Sequence, residues 1–499
     1  MGPRGAWRSY MAGVRFEIGE ACYTPGRRIL RGVSSSIDEG GLLLVAGPSG
    51  SGKTTLLLAF TGVLSNLLGG VIEGSSEIYG VNPLDPSGFK SVPRVVGAVL
   101  QDPDRQLAMP TPWDEASFLL ENLGYRDEEV GKAVEGALRR FGLLDKAHFH
   151  VEDLSSGEKR RLTFASAIVH EPKLLILDEP TASLDPWGIR EVKRLVEEAR
   201  KGGSSVIVVE HKARHFIGEA DRLMVIDRGT VKDEYGPGMA LRDEELERLA
   251  LMGIDARRPE VREPQRRPDS GAVLEVDSLD VGQIEDRPLI KEASFEVNRG
   301  EVIALVGPNG SGKTTLLKTL IGAVKPLSGS IRVRGSDILR MKRSKLLRAI
   351  FYIPQQPDHL FVASTLEGEV KEASRKGGLG FAEAAGMIPW YQELRSQSPY
   401  RLSFGQRMWL SIAIGGCYRP DVMLLDEPTA GLDYRLFCTL RGFVERLREK
   451  GLSILIATHD SRVVGELSDG ALMIEDGRLR WEDRGRVVET LEHVAGVLI

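Results

Sequence analysis

Short apolar runs recur along the chain and alternate with longer stretches in which apolar positions repeat at helical spacing. Six of these runs are apolar on both faces: GGLLLVAG, LLILD, VIVVE, GEVIALVG, VMLLD and ILIAT. Runs of this kind are typical of parallel strands buried between helices. TTLLLAFTG and TTLLKTLIG follow two of the runs and have helical periodicity. The pattern predicts an α/β protein with mostly parallel sheets flanked by helices.

The whole pattern occurs twice, with fixed spacings. Lys53 and Lys313 lie 260 residues apart in the matching phrases GPSGSGKTT and GPNGSGKTT. LSSGE pairs with LSFGQ, LLILDEPTASLD with VMLLDEPTAGLD, and His211 with His459, each at an offset of 248 residues. Equal spacings indicate one fold used twice. The larger first offset predicts extra residues between Lys53 and LSSGE, where loops such as VNPLDPSGFK tolerate insertion.

The repeat divides the chain into two domains joined by a tether. We expect the first domain at 1–254, a linker at 255–271 and the second domain at 272–499. The linker includes ARRPEVREPQRRPDSG, whose prolines and alternating charges are unsuited to a hydrophobic core. The stretches before LSSGE and LSFGQ mix charged and apolar residues at helical spacing, which predicts a helical subdomain in each half.

Composition and charge exclude several kinds of protein. With 42% hydrophobic and 27% charged residues, the chain has an ordinary globular composition. Its net charge of -5 gives no electrostatic footprint for nucleic acid, so no nucleic-acid partner is expected. No run of about 18 apolar residues occurs, so membrane-spanning parts are expected on other chains. The three cysteines have no CxxC spacing, which argues against a zinc knuckle or an iron–sulfur motif.

Each glycine-rich phrase fits GxxxxGK[ST] between a strand and a helix, the context that indicates a phosphate-binding loop. Glycines let backbone N–H groups turn towards phosphate oxygens, and the helix amino terminus adds positive potential. The lysine adds a full charge, and the first threonine is placed to bind Mg²⁺. The expected ATP-binding residues are Gly47, Pro48, Ser49, Gly50, Ser51, Gly52, Lys53, Thr54 and Thr55, with Gly307, Pro308, Asn309, Gly310, Ser311, Gly312, Lys313, Thr314 and Thr315.

Two further requirements of a nucleotide site, a metal-binding carboxylate and a group that activates water, are met at a strand end in DEPT. We expect Asp178 and Asp426 to bind the metal together with Thr54 and Thr314. An acidic pair at a strand end is otherwise a helix cap. The histidine after the next apolar strand is the expected contact of the γ-phosphate, a structural role being the alternative. The expected catalytic residues are Glu179, Glu427, His211 and His459.

LSSGE and LSFGQ, with the phosphate loops and the DEPT segments, make the chain resemble tandem ATP-binding-cassette ATPases over nearly its whole length. The resemblance implies two P-loop ATPase domains in which the LSGGQ-type sequence of one domain closes over ATP held by the other. It assigns Ser403 and Gly405 to the ATP at Lys53, and Ser155 and Gly157 to the ATP at the other loop. The third residue of the signature, usually glycine, is serine in LSSGE and phenylalanine in LSFGQ.

Other family positions also have counterparts in this chain. The glutamine that senses Mg²⁺ and relays to the membrane partner corresponds to Gln101 and Gln355. The aspartate that follows DEPT corresponds to Asp185 and Asp433.

The family stacks adenine on an upstream aromatic residue, and Tyr23 suits that role. The corresponding stretch of the second half, VGQIE at 281–285, has no aromatic residue. Because stacking on a base is worth roughly 1–3 kcal/mol, we expect weaker ATP binding at the Lys313 site.

QDPDRQ at 101–106 resembles the Q-x-P-D-x-Q segment in ATPases of energy-coupling-factor importers, which take up vitamins or cobalt and nickel ions; a plain Pro-Asp turn is the alternative. The resemblance implies a peripheral protein on the cytoplasmic face of the cell membrane. Its implied partners are an integral transmembrane coupling protein and a substrate-binding component, with ATP and Mg²⁺ as cofactors. The alternative functions are a fused sugar-importer ATPase and a soluble ATP-binding-cassette protein that acts on ribosomes or DNA.

Overall fold

The apolar runs of the sequence form strands that are buried along their whole length. The computed structural model describes residues 12–100, 103–182, 184–236, 241–264, 271–282 and 288–497. Within these ranges the chain forms two units, one of 12–182 with 188–257 and one of 184–187 with 258–497. Both units have the same mixed α/β fold, with mostly parallel strands flanked by helices, so the predicted fold class is confirmed.

The elements of the first repeat follow one another between residues 12 and 251. Its strands are β1 (Ala12–Cys22), β2 (Arg28–Asp38), β3 (Leu42–Ala46), β4 (Val71–Ile78), β5 (Val96–Val99), β6 (Leu174–Asp178), β7 (Ser205–Glu210), β8 (Arg222–Asp227) and β9 (Thr230–Tyr235). Its helices are α1 (Lys53–Phe60), α2 (Val63–Asn66), α3 (Pro86–Phe89), α4 (Val92–Val95), α5 (Pro103–Gln106), α6 (Pro112–Asn122), α7 (Asp127–Arg140), α8 (Ser156–Ile168), α9 (Pro186–Lys201) and α10 (Asp243–Leu251).

Two sheets enclose the core of the first unit. One has six strands in the order β5-β6-β7-β3-β8-β9, parallel except for the last pair. The other is antiparallel, in the order β2-β1-β4. Helix α1 packs between them, and the rings of Phe16 and Phe60 stack with centroids 4.9 Å apart. The carboxyl ends of β3 and β6 therefore lie in one sheet with one strand between them, which brings the loops that follow them to the same edge.

The second repeat occupies residues 272–494. Its strands are β10 (Ala272–Val281), β11 (Ile290–Asn298), β12 (Val302–Val306), β13 (Ser328–Val333), β14 (Ser336–Asp337), β15 (Ile350–Ile353), β16 (Val422–Asp426), β17 (Ser453–Thr458), β18 (Gly470–Glu475) and β19 (Arg478–Glu482). Its helices are α11 (Lys313–Leu320), α12 (Arg343–Ala349), α13 (Leu366–Gly377), α14 (Phe381–Gly386), α15 (Tyr391–Leu394), α16 (Phe404–Cys417), α17 (Tyr434–Glu449) and α18 (Arg484–Val494), with a π-helical turn at Val463–Leu467.

The sheet of the second unit reproduces the strand order of the first. The segment β15-β16-β17-β12-β18-β19 matches β5-β6-β7-β3-β8-β9 strand for strand. The antiparallel strands β14-β13-β10-β11 join this sheet through one pairing, Lys291 with Arg478, so the unit has a single sheet of ten strands. A shared strand order over six strands is the structural counterpart of the sequence repeat.

The extra residues of the first repeat are divided between two places. Val96 and Ile350 begin the matching edge strands β5 and β15 and lie 254 residues apart, midway between the offsets of 260 and 248. Half of the insertion therefore precedes β5, in the region of the predicted loop, and half lies in the helical segment before LSSGE. That segment contains α5, α6 and α7, and its counterpart contains α13, α14 and α15. No helix in the described ranges has the length and apolarity needed to cross a bilayer.

Candidate active site

The glycine-rich phrase follows β3 and begins α1 in the first unit, and follows β12 and begins α11 in the second. The φ angles of Gly50 and Gly52 are 76° and 103°, and those of Gly310 and Gly312 are 79° and 100°. Residues with side chains rarely adopt these left-handed values. Gly47 is needed for another reason, because a Cβ there would lie 2.2 Å from a carbonyl oxygen of β8. Both loops thus have a backbone path suited to phosphate at a helix amino terminus.

The lysines of the two loops are buried. Lys53 and Lys313 are 5% and 6% exposed. Lys53 Nζ donates to the carbonyl oxygens of Gly47 and Pro48 at 2.8 and 3.0 Å, and Lys313 makes the matching bonds at 2.6 and 3.0 Å. Burial lowers the pKa of Lys313. Each lysine is therefore anchored by its own loop, close to the backbone that would surround phosphate.

The two expected metal ligands of each unit meet. Thr54 Oγ1 donates to Asp178 Oδ2 at 3.0 Å, and Thr314 Oγ1 donates to Asp426 Oδ2 at 2.8 Å. Burial raises the pKa of Asp178 to about 6 and also raises that of Asp426. A poorly solvated carboxylate beside a hydroxyl offers oxygen ligands that gain from the arrival of a divalent cation. The residues present therefore fit Mg²⁺.

The second unit adds a third group to this pair. Tyr352 Oη donates to Asp426 Oδ2 at 3.0 Å. Burial, and then the charge of Asp426, raises the pKa of this phenol. Ala98 holds the matching position of the first unit, because Ala98 pairs with Ile176 as Tyr352 pairs with Leu424. Sequence reasoning missed Tyr352, since a tyrosine within a strand has the same pattern as any half-buried aromatic residue.

The expected catalytic bases have strained backbones. Glu179 and Glu427 have φ angles of 48° and 49°. A non-glycine residue in the left-handed region costs on the order of 1–3 kcal/mol, and such residues cluster at active sites. Hydrogen bonds from the glutamate N–H groups to Val209 O at 2.8 Å and Ala457 O at 2.9 Å hold the conformation. The same strain occurs in both units, one residue beyond the aspartate expected to bind the metal.

The expected glutamate and histidine of each unit also come together. His459 Nδ1 lies 2.9 Å from Glu427 Oε1, and His211 Nδ1 lies 3.6 Å from Glu179 Oε1. Burial acts to raise the pKa of Glu179, but the contact with His211 outweighs it and lowers the pKa. A carboxylate that stays ionised next to an imidazole is chemically suited to accept a proton from water.

The serines of LSSGE and LSFGQ cap helices. Ser155 Oγ accepts from Glu158 N at 3.3 Å, and Glu158 Oε2 accepts from Ser155 N at 2.9 Å. Ser403 and Gln406 make the same reciprocal bonds at the start of α16. This is a capping box, which S-x-x-E/Q encodes and which sequence reasoning missed. The cap holds the signature residues at a helix amino terminus, where backbone N–H groups favour an anion.

The glycines of the two signatures have different surroundings. A Cβ on Gly405 would lie 2.7 Å from Leu432, whereas Gly157 has open space. Phe404 is half-buried against Gly431, with the Arg407 guanidinium 5.8 Å from its ring centre. The phenylalanine that replaces the usual glycine is thus packed within its own unit.

The aspartates that follow DEPT and the tyrosine expected to stack on adenine have different surroundings. Asp433 caps α17 by accepting from Leu436 N at 2.9 Å. Asp185 belongs to the second unit, where its Oδ2 accepts from Asn309 N at 2.8 Å. Tyr23 is 39% exposed in the turn between β1 and β2.

Some predicted residues are not part of this constellation. Gln355 is exposed just after β15. Gln101 lies outside the described residues, as do residues 283–285 of the VGQIE stretch. The structure therefore assembles lysine, threonine, aspartate, glutamate and histidine in each unit.

Comparison with known proteins places this constellation in a family. The family described as "ABC transporter" matches residues 30–182 and 290–430. "Putative HMP/thiamine import ATP-binding protein YkoD" of Bacillus subtilis is 30% identical over 91% of this chain and 88% of that protein. A "Putative ABC transporter ATP-binding protein" of Saccharolobus solfataricus is 32% identical over 92% of this chain and 91% of its own length.

Several solved structures cover most of the chain. "Model of ribosome-bound archaeal Pelota and ABCE1" aligns with a TM-score of 0.64 over 92% of this chain and 78% of that chain. At 20% identity this likeness concerns the fold. The tandem arrangement of two such α/β domains is therefore shared with that protein.

Proposed function

The chain belongs to the ABC transporter family as a protein with two ATP-hydrolysing cassettes, and we propose that it energises an importer of the energy-coupling-factor type. In this proposal, separate integral membrane subunits take up a vitamin or a metal ion. A transmembrane coupling protein and a substrate-binding component are the proposed partners. The chain would act at the cytoplasmic face of the cell membrane, where its ATP turnover drives their movement.

The presence of the full set of catalytic groups in both units carries the proposal. Each unit has a lysine on its loop carbonyls, a threonine on the metal aspartate and a histidine beside a strained glutamate. The intact second loop argues against a fused sugar-importer ATPase, because such proteins generally have a degenerate second phosphate loop. The name of the Bacillus relative, a putative HMP/thiamine import protein, favours uptake of a small vitamin-like solute.

Gln106, the last residue of the segment QDPDRQ, supports the energy-coupling-factor type of importer. Gln106 Nε2 donates to Ala98 O at 2.9 Å, and Gln106 Oε1 accepts from Leu100 N at 2.8 Å. The side chain ties the residues after β5 back onto the strand. The last residue of the segment thus has a fixed position beside β5, which favours a specific role for the segment over a plain Pro-Asp turn.

The chemistry follows from the residues of each unit. Backbone N–H groups of the phosphate loop, with Lys53 or Lys313, would bind the terminal phosphates of ATP. Thr54 with Asp178, and Thr314 with Asp426, would hold Mg²⁺, which supplies charge neutralisation at those phosphates. The glutamate next to each aspartate would take the proton of the attacking water, and the histidine beside it would donate to the γ-phosphate.

The signature sequences extend this proposal. Ser155 and Gly157, and Ser403 and Gly405, are proposed to complete the ATP site of the opposite cassette, as the family resemblance implies. ATP binding would then favour a closed state and hydrolysis an open one. Gln101 and Gln355 are the proposed relays of that change to the membrane subunits.

Affinity purification from native membranes tests the proposal. We expect integral membrane proteins to co-purify with the chain in detergent. After reconstitution in vesicles, the complex should transport solute only when ATP is present on the side of the membrane that carries this chain. The control is the same complex with Lys53→Ala and Lys313→Ala. Salt-sensitive association with ribosomes or DNA, and no membrane partner, would overturn the importer and favour a soluble cassette protein.

A further inference from the structure

The two catalytic histidines have different neighbours in sequence. The first unit reads Glu210-His211-Lys212, and the second reads Thr458-His459-Asp460. The carboxylate thus precedes the histidine in one unit and follows it in the other. Since both triplets come at the end of matching strands, β7 and β17, the exchange alters the surroundings of an otherwise equivalent imidazole.

Glu210 is fully buried and held by several donors. Its Oε1 accepts from the N–H groups of His211 at 2.9 Å and Lys212 at 3.2 Å. Its Oε2 accepts from Thr181 Oγ1 at 2.5 Å. The N–H of Thr181 also donates to Oε2, at 3.4 Å. Four donors thus satisfy a carboxylate that is withdrawn from solvent.

His211 consequently lies between two carboxylates. Its Nδ1 is 3.3 Å from Glu210 Oε1 and 3.6 Å from Glu179 Oε1, and its side chain is 3% exposed. Two negative charges around a buried imidazole favour its cationic form.

The second unit has a different arrangement. Asp460 Oδ2 accepts from Thr429 Oγ1 at 3.2 Å, and Asp460 Oδ1 accepts from Arg462 N at 3.0 Å. In the described part of the chain, Glu427 supplies the one carboxylate that pairs with His459. The aspartate of the second unit therefore replaces Glu210 as the partner of the DEPT threonine, but not as a neighbour of the imidazole.

We propose that Glu210 is a positioning residue of the first site, which holds His211 as an imidazolium so that it meets the γ-phosphate as a charged donor. The inference rests on the proposed function. A cationic donor makes a shorter and roughly twofold stronger bond to a phosphate oxygen than a neutral one. Thr458 supplies no counterpart in the second site.

The charges around His211 agree with this. Burial lowers the pKa of His211, but Glu179 and Glu210 outweigh it, and the net pKa is raised. Lys212 opposes the shift. Nearby charged and titratable side chains are otherwise paired: Arg214 lies 3.2 Å from Asp255, and His215 Nδ1 lies 3.1 Å from Thr181 Oγ1.

The test compares Glu210→Gln with the double change Glu210→Thr and Lys212→Asp in the full chain. Glutamine keeps the shape and an acceptor but removes the charge. The double change copies the second site, including its aspartate partner for the threonine, so it supplies the structural role of Glu210 without the carboxylate beside Nδ1. Histidine imidazole signals are followed by nitrogen NMR against pH without nucleotide, with the signal of His211 assigned from His211→Gln.

We expect the His211 midpoint to lie above 6.5 in the natural protein and to fall by about one pH unit or more in Glu210→Gln, a tenfold lower affinity for the proton. The fall should be smaller in the double variant, because Lys212, which opposes the raised pKa, is also replaced. The midpoint of His459 should not move and serves as the internal control. The proposal would be overturned by an unchanged His211 midpoint in Glu210→Gln, or by a midpoint in the double variant that is as high as in the natural protein. Since this readout needs neither ATP nor a membrane, it is independent of whether the chain drives an importer.

The catalytic consequence is measured with the second site silenced by Glu427→Gln. In this background, the rate of ATP turnover should fall as pH rises and His211 loses its proton. Adding Glu210→Gln should move the midpoint of this fall to a pH about one unit lower. An equal loss at every pH would assign Glu210 a structural role only and contradict the inference.

Discussion

The aspartates of the two proposed metal sites have different hydrogen-bond partners. Asp178 accepts a hydrogen bond from the hydroxyl of Thr54, whereas Asp426 accepts hydrogen bonds from the hydroxyls of Thr314 and Tyr352. Burial raises the pKa of both aspartates, and each hydroxyl opposes that shift by stabilising the charged form. The extra phenol therefore makes the second carboxylate easier to keep ionised within the protein.

Removal of that phenol should destabilise the second unit. Hydrogen bonds to charged groups are worth about 1.5–3 kcal/mol, so Tyr352→Phe should lower the free energy of unfolding at neutral pH by that amount. Urea denaturation measures the loss, with Tyr391→Phe as a control that removes a phenol not bonded to a carboxylate in the described chain. Equal losses in both variants would contradict the assigned role of Tyr352.

Glu158 gives the first unit an acid-sensitive cap. The hydrogen bond from Lys146, at 2.6 Å, and the bonds with Ser155 lower the pKa of Glu158 to about 2. A lowered pKa contributes stability that is present above the unfolded value of 4.5 and is lost as pH falls towards 2. Glu158→Gln, which copies Gln406 of the second unit, should cost about 1 kcal/mol near pH 7.

The measurement is thermal unfolding of both proteins from pH 7 downwards. The difference in melting temperature should shrink as pH falls below 4.5. A difference that stays constant over this range would show that the charge of Glu158 contributes nothing beyond the cap.

The sequence predicted the reacting groups better than their surroundings. Lys53, Thr54 and Asp178 could be assigned because their types and spacing follow from phosphate and Mg²⁺ chemistry. Tyr352 and Glu210 could not, because each belongs to a strand whose sequence pattern indicates burial but not the contacts of individual side chains. Distances between residues far apart in sequence depend on sheet register, which the pattern leaves open.

At the scale of elements, the buried strands could be predicted because they are uniformly apolar. The order of the strands within each sheet could not, because the repeat shows that the two orders match but not what the order is. The loop after β7 shows what pattern analysis misses. Asp255 N donates to His211 O at 2.9 Å, and Arg214 N donates to Asp255 O at 2.9 Å. A segment about 40 residues downstream thus holds the backbone of His211, the proposed catalytic histidine, although the sequence of that segment resembles a linker.

Loss of this anchor should weaken both stability and turnover. Arg214 and Asp255 form an ion pair with both side chains 5% exposed, and breaking a buried pair costs about 3–5 kcal/mol. We expect Asp255→Asn to lower the melting temperature of the first unit and to reduce ATP turnover through the loosened His211 loop. Glu197→Gln is the matched control, since its pair with Lys201 is 63% and 72% exposed and should contribute little. Similar effects of the two variants would refute the anchoring role.

At the scale of the whole molecule, the two repeats share the proposed catalytic groups but differ in the residues next to them. Both units keep the strained glutamate, with φ of 48° and 49°, although that conformation is costly. The neighbours differ: alanine or tyrosine beside the aspartate, glutamate or threonine before the histidine. The presence of the loop lysine and of the glutamate with its histidine in both copies, despite these changes, favours two hydrolytic sites over one active and one degenerate site.

Paired glutamate variants decide this point. Glu179→Gln and Glu427→Gln keep the side-chain shape but remove the proposed base, a change that typically costs 10²–10⁴-fold in rate. We expect each single variant to lose at least about half of the ATP turnover and the double variant to fall about a hundredfold or more while retaining bound ATP. Phosphate release measures the turnover, and filter binding measures the retained nucleotide. If one single variant kept full activity, the corresponding unit would be a binding site only; if the double variant kept turning over ATP, neither glutamate would be the base.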